Sequence, residues 1–158
     1  MDPLFELALS VKAGQRELER LANEAMRPLG LTGAQADAVS VIGQAGPLSL
    51  KDLGELLIAE AGHPSRLVDR LVGAGLVERR TSEGDRRRLE LSLTPKGRRL
   101  EERIVAAREG VLEFARQVIG PRDVVPILEF FRELLQYSQF PELVARRREL
   151  SDGQAPRG

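Results

Sequence analysis

Five arginines flank one short polar turn. Arg79 and Arg80 precede Ser82-Glu83-Gly84-Asp85, and Arg86, Arg87 and Arg88 follow it. The segment Leu76 to Thr81 is strand-like and Leu89-Glu90-Leu91-Ser92-Leu93 alternates with period two, so the pair predicts a β-hairpin with guanidinium groups gathered near its tip. Arginine in that position can neutralise phosphates or enter a narrow minor groove, where the negative potential is strong. The competing reading of the same residues is a solvated hairpin held together by Glu83 and Asp85. The inner face is expected to carry Leu89, Leu91 and Leu93, with Arg88, Glu90 and Ser92 outward.

A second group of candidate residues lies just upstream, on a helix expected over about Ala61 to Ala74. Leu67, Val68 and Leu71 share its apolar face, which leaves Gly62, His63, Ser65, Arg66, Asp69 and Arg70 outward. Arg66 can pair with guanine, Ser65 can bond a base or a phosphate, and the helix N-terminus favours phosphate. Asp69 and Arg70 have two readings, an intramolecular ion pair or contact with nucleic acid. His63 is either a base contact or a polar first-turn residue, and Pro64 is tolerable only in the first turn.

Other chemistries lack their residues. The 158-residue chain has no Cys and one His, so thiolate nucleophiles, thiol switches, cysteine-rich zinc sites and multi-histidine metal centres within one chain are excluded. No Ser/His/Asp spacing, P-loop or glycine-rich nucleotide motif is present, so no enzyme and no cofactor is expected. The start Met1-Asp2-Pro3-Leu4-Phe5-Glu6 does not resemble a secretory signal, and no apolar run approaches the roughly 18 residues of a membrane span. A cytoplasmic protein without membrane contact is the expectation. Lys+Arg and Asp+Glu both number 24, for a net charge of zero. Residues 63–99 nevertheless hold ten Lys+Arg against five Asp+Glu, a net of +5 that the rest of the chain cancels. Neutrality therefore excludes a uniformly cationic protein, not one with a basic face.

Several elements are needed to position these residues. Leu4, Ala8, Val11, Leu18, Ala22, Ala25 and Leu29 recur at helical spacing and predict a first helix, closed by Pro28 and Gly30. Thr32 with Gln35 reads as a capping box for a second helix bearing Ala38, Val39 and Ile42, and Ser49 with Asp52 opens a third bearing Leu53, Leu56 and Leu57. Thr94-Pro95 launches a long helix in which Leu100, Ile104, Ala107, Val111, Phe114 and Val118 keep heptad spacing until Gly120-Pro121. A last helix carries Val124, Leu128, Phe131 and Leu135, with Pro126 either in its first turn or at a kink. Past Gln139 the chain turns polar.

Two motifs in this order carry a family resemblance. Asp85-Arg86-Arg87-Arg88-Leu89-Glu90-Leu91-Ser92-Leu93-Thr94-Pro95-Lys96-Gly97 resembles the wing and following helix start of the MarR (multiple antibiotic resistance regulator) family. Ser65-Arg66-Leu67-Val68-Asp69-Arg70-Leu71-Val72-Gly73-Ala74-Gly75-Leu76-Val77-Glu78-Arg79 resembles its recognition helix and first wing strand. The resemblance covers about Leu29 to Leu100 by motif and the remainder by helix order. Gly62-His63-Pro64 departs from it, standing where small hydroxyl or β-branched residues are usual.

The resemblance implies a mainly α fold with a small β-hairpin, a winged helix-turn-helix domain flanked by dimerisation helices. Residues 1–30 would be the N-terminal dimerisation helix, 31–99 the DNA-binding domain, 100–150 the C-terminal dimerisation helices and 151–158 a disordered tail. His63, Ser65, Arg66 and Arg70 would read DNA from the recognition helix. On the wing, which would bind DNA through Arg80 as well, Asp85 would orient Arg87 into the minor groove, with Arg86 and Arg88 at phosphate or solvent. Leu4, Ala8, Val11, Val111, Phe114, Val118, Leu128, Phe131 and Leu135 would line a homodimer interface, and a two-fold dimer implies a pseudo-palindromic operator in double-stranded DNA. The implied function is a transcriptional regulator, a repressor relieved by a small organic effector, phenolic ones included, held near the first, second and fifth helices, or one with no ligand at all, since relief by cysteine oxidation has no residue to act on. The alternative is a winged-helix protein-interaction module that does not read DNA, which an acidic or apolar wing would favour over this arginine-rich one.

Overall fold

The computed structural model describes residues 1–58, 64–82 and 89–153. Its first helix, α1 (Pro3–Met26), starts where the Asp2 carboxylate accepts the Leu4 N–H at 2.7 Å and Pro3 occupies the first helical position. The helix ends three residues before Leu29. Arg27–Leu29 tighten into a 3-10 turn and Gly30, at φ 72°, turns the chain away.

The expected capping box at Thr32 forms, and the helix start expected at Ser49 proves to be a second one. Thr32 Oγ1 accepts from Gln35 N at 3.2 Å while Gln35 Oε1 accepts from Thr32 N at 2.9 Å, opening α2 (Gly33–Ala45). Ser49 and Asp52 make the same exchange at the start of α3 (Leu50–Leu56). Then come α4 (Pro64–Gly73), β1 (Val77–Thr81) and β2 (Leu89–Leu93). The part of the expected fourth helix at 61–63 lies outside the described residues. The strands are antiparallel, with Val77 opposite Leu93 and Thr81 opposite Leu89. Leu48 adds a single bridge to Leu91 by donating to and accepting from its backbone, at 3.3 and 2.8 Å.

Thr94 Oγ1 accepts from Gly97 N at 3.0 Å to cap α5 (Pro95–Ile119), which stops at Gly120, φ 64°. Helix α6 (Val125–Leu135) holds Pro126 in its first turn, so no kink is needed. A further helix, α7 (Pro141–Asp152), follows.

The core is built around α2, whose Ala36, Ala38, Val39, Val41 and Ile42 are all buried. Met26 of α1, Leu48, then Leu53 and Leu56 of α3, Val68 and Leu71 of α4, Leu76 and Val77, Leu91 and Leu93 of β2, and Ile104 of α5 complete it. This is the mainly helical, hairpin-bearing winged helix-turn-helix fold that the motifs predict.

Three expectations need correction. Leu89 is not on the inner face: it is 58% exposed, because it pairs with Thr81 at the tip end of the hairpin, beyond the reach of the core, and only Leu91 and Leu93 are covered. The heptad stripe of α5 does not serve one surface. Leu100 and Ala107 pack on the chain's own core and Ile104 is fully buried in it, so the core crosses the expected boundary at 99/100. The polar segment after Gln139 is helical, and α7 runs two residues into the segment expected to be a tail from 151. Helix α7 packs on α2 and α3, where Arg147 meets Asp37 at 2.6 Å and Arg146 meets Glu55 at 3.3 Å.

Candidate nucleic-acid interface

Helix α4 presents its face by simple periodicity. Val68 and Leu71 are buried and Leu67 is half-buried against the core, which turns Arg66, Asp69 and Arg70 outward. Pro64 takes the first position, where its missing N–H costs no hydrogen bond, and Ser65 beside it is half-buried.

The C-terminal end of α4 is fixed more tightly than its start. Leu76 N–H donates to Leu71 O at 3.0 Å and Gly75 N–H to Val72 O at 2.9 Å, with Gly75 at φ 68°. This is a Schellman closure, and the two residues it pairs hydrophobically, Leu71 and Leu76, both lie in the core. Lys96 then donates from Nζ to Ala74 O at 2.8 Å, placing a cation on the carbonyl end of the helix. Thr94 donates its hydroxyl to Gly75 O at 2.7 Å while accepting from Gly97 N. A Cβ on Gly97 would stand 2.1 Å from Leu76 O, so the first turn of α5 touches the strand base at backbone distance. These contacts join α4, the hairpin and α5 into one rigid corner.

The charges on that corner are sorted. Arg79 Nη2 lies 2.5 Å from Asp69 Oδ1, so the acid of the outward α4 face is paired with a β1 arginine and not with its neighbour Arg70. Arg80 points to the other side of the strand, 2.7 Å from Glu78 and opposite Glu90 in the register. Among the described residues Arg66 and Arg70 form no ion pair. The result is an outward helix face whose carboxylate is neutralised and whose two arginines are available to an anion. His63, Asp85, Arg86, Arg87 and Arg88 lie outside the described residues. Among the described residues no cluster of three His, Cys, Asp or Glu could hold a metal ion.

Sequence reasoning placed Arg79 with the tip arginines and missed its part in neutralising Asp69. It also missed Lys96 as the cap of α4; a lysine in the first turn of the next helix carries no sequence signal for a carbonyl 22 residues earlier. A polar network at the junction of helices was missed as well: Arg108 Nη1 donates to the buried Ser40 hydroxyl at 2.9 Å and its Nη2 reaches Asp37 at 3.3 Å, where Arg147 also ends. Glu101, half-buried over Gly43, has its carboxyl pushed above the ordinary carboxylate range by burial, against a smaller lowering by Arg98.

The residues expected to line a dimer interface fall into two groups. Leu4, Ala8, Val11, Phe114, Val118 and Leu128 are exposed, whereas Val111, Phe131 and Leu135 are half-buried in the single chain. Leu18, Leu112, Ile127, Phe130 and Leu134 add to the exposed apolar surface of α1, α5 and α6. Between α1, α2 and α5 lies an apolar groove of about 280 Å³, lined among others by Leu18, Ala22, Met26, Ala36 and Leu112 with Arg108 at its edge.

Known proteins share both motif and shape. A family model for the MarR family matches residues 29–88. The HTH-type transcriptional repressor MdtR of Bacillus subtilis (strain 168) is 26% identical over 139 residues, 88% of this chain and 90% of that protein. The crystal structure of a probable transcriptional regulator from Pseudomonas aeruginosa is 30% identical, with a TM-score of 0.64 over 82% of this chain and 93% of that one. The S. aureus MepR-DNA complex, at 17% identity, shares the fold, with a TM-score of 0.72 over 82% of this chain and 96% of that one.

Proposed function

Because the chain belongs to the MarR family, we propose that it is a sequence-specific DNA-binding transcriptional regulator acting as a homodimer, a repressor relieved by a small organic effector. The observation that carries the DNA reading is the sorted charge of α4: Asp69 is held by Arg79, which leaves Arg66 and Arg70 as uncompensated cations on the face turned away from the core. A helix with that face suits the major groove, Ser65 and Arg66 toward base edges and Arg70 toward phosphate. Arg80 and the tip residues Asp85, Arg86, Arg87 and Arg88 extend the same contact along the duplex, Arg87 into the minor groove with Asp85 orienting it.

The name of the Bacillus subtilis relative, a transcriptional repressor, supports repression over activation. The exposed apolar faces of α1, α5 and α6 support the homodimer, and the apolar groove between α1, α2 and α5 supports a small organic effector. With no Cys in the chain, that effector must act by binding and not by thiol oxidation.

Titration onto DNA from the protein's own promoter region tests the reading. Log affinity is expected to fall linearly with log salt, and Arg66→Ala and Arg87→Ala to weaken binding while the dimer persists. Arg70→Ala should lower the salt slope by about one, as the loss of one phosphate contact does. Absence of binding to any promoter fragment at low salt would end the proposal.

A further inference from the structure

The C-terminal helix reaches the helix proposed to read DNA at one remove. Helix α7 packs on α2 and α3, and α3 packs on α4. Arg146 Nη1 meets Glu55 Oε2 at 3.3 Å near the end of α3, and Arg147 Nη2 meets Asp37 Oδ1 at 2.6 Å on α2. Gly54, the residue before Glu55, lies against the first residue of α4: a Cβ placed on it would stand 3.3 Å from Pro64 Cγ. A chain of neighbours therefore runs from Arg146 through Glu55, Gly54 and Pro64 to Ser65 and Arg66.

The two ends of α4 are held differently. Its far end is tied to α5 and the strand base by the bonds of Lys96, Thr94 and Gly75, whereas its near end, which carries the proposed base-reading residues, rests on α3. Helix α3 is seven residues long, about 10 Å at the α-helical rise, too short to keep its direction without packing. Its seam with α7 is only partly filled, since a cavity of about 390 Å³ bordered by Leu57, Ile58, Phe140 and Leu143 opens between the two helices. Close apolar contact does not set their spacing there, which leaves that task to the ion pairs. Arg147 serves the task at a cost to stability, because its Nη1 is buried without a hydrogen-bond partner among the described residues. A guanidinium kept on those terms is better explained by the position it enforces than by the energy it adds.

We propose that Arg146 and Arg147 are positioning residues for DNA reading: acting through α3, they set the angle at which the start of α4 presents Ser65 and Arg66. The proposal rests on the DNA-reading function argued above and gives α7 a part in it that is separate from dimerisation.

The ratio of promoter affinity to affinity for unrelated DNA of the same length tests it, because positioning acts on base contacts and leaves phosphate contacts in place. Arg146→Gln/Arg147→Gln leaves neither acid bare, since Glu55 keeps Lys51 at 3.7 Å and Asp37 keeps Arg108 at 3.3 Å. This variant is expected to lose about tenfold of the ratio, with the salt slope of promoter binding unchanged. Reversing the outer pair separates pairing from charge: Arg146→Glu should lower the ratio, and Glu55→Arg/Arg146→Glu should restore most of it. Amide hydrogen exchange without DNA reads the same link mechanically, with faster exchange expected in the glutamine variant over residues 67–70 as well as 141–152. An unchanged ratio, no recovery in the reversed pair, or a salt slope reduced by about one per removed arginine overturns the proposal, the last by making phosphate the partner of these side chains. If wild type itself showed no promoter preference, the DNA reading would fail separately. The exchange measurement would then decide the link from α7 to α4, upheld by faster exchange over 67–70 and overturned by a change confined to 141–152.

Discussion

Asp69 sits on the outward face of α4 between Arg66 and Arg70, where a bare carboxylate would repel phosphate. Its pairing with Arg79 is largely solvent-exposed, so it contributes little to folding. Its value on the proposed reading is electrostatic screening of the DNA face. Asp69→Asn is therefore expected to change unfolding free energy by less than about 1 kcal/mol in denaturant titration. Arg79→Ala, which strips the acid of its partner, should weaken promoter binding, and adding Asp69→Asn to it should restore most of the loss. If the double variant bound no better than Arg79→Ala, Arg79 would itself be contacting DNA. Glu101 gives a second residue-scale expectation. Burial raises its carboxyl pKa above the unfolded value, so the ionised form costs stability at neutral pH, and that cost disappears as pH falls through the raised pKa toward the ordinary carboxylate range. Glu101→Gln should accordingly raise the melting midpoint at pH 7 and leave it nearly unchanged near pH 4. A stabilisation that was the same at both pH values would point to packing against Gly43 and not to charge.

At the scale of elements, local signals were the readable part. Thr32 with Gln35, Ser49 with Asp52, and Thr94 before Pro95 each mark a helix start, because a cap needs only a hydroxyl or carboxylate at a fixed short offset. What periodicity withholds is the identity of the surface a stripe meets. Leu100, Ile104 and Ala107 continue into Val111 and Phe114 without a break in spacing, yet the first three turn to this chain's core and Phe114 to solvent. Helix α7 was unreadable for the opposite reason: it is charged nearly all round, with Leu143 and Leu150 its main inward apolar residues, and it is held by Arg146 and Arg147 to acids some ninety or more residues away. Asp37 is the joint between α2, α5 and α7, since Arg108 and Arg147 both end on it. Asp37→Asn should cost about 2 kcal/mol, the scale of a partly buried hydrogen bond to a charged group, and amide hydrogen exchange should rise selectively over residues 141–152. The corner of α4, β1 and α5 is less forgiving. Gly97→Ala drives a methyl group into the Leu76 carbonyl, and a loss of about 2 to 3 kcal/mol is expected, read as a lowered denaturation midpoint.

For the whole molecule the decisive quantity is where charge and apolar surface lie. The basic excess is confined to residues 63–99 and cancelled elsewhere, so the field is directional although the net charge is zero. On α1, α5 and α6 large apolar side chains remain in solvent, including Phe5, Leu18, Leu112, Phe114, Leu128 and Phe130. An exposed patch of this kind marks an interaction surface. Placed on a two-fold axis, these helices would cover one another and set two copies of α4 about one DNA turn apart, roughly 34 Å. Linking two weak half-site contacts in this way multiplies affinity without any new base contact, by about 10²-fold or more when the geometry permits both to engage. The prediction separates assembly from reading. Phe114→Glu with Leu128→Glu puts charges on α5 and α6 far from α4, and should yield a folded monomer by sedimentation with unchanged circular dichroism. That monomer should bind an isolated half-site as wild type does, and should lose about 10²-fold or more of the wild-type preference for the full palindrome. If the variant stayed dimeric, another surface would be the interface; if the monomer kept the palindrome preference, two-fold presentation of α4 would not be the source of specificity.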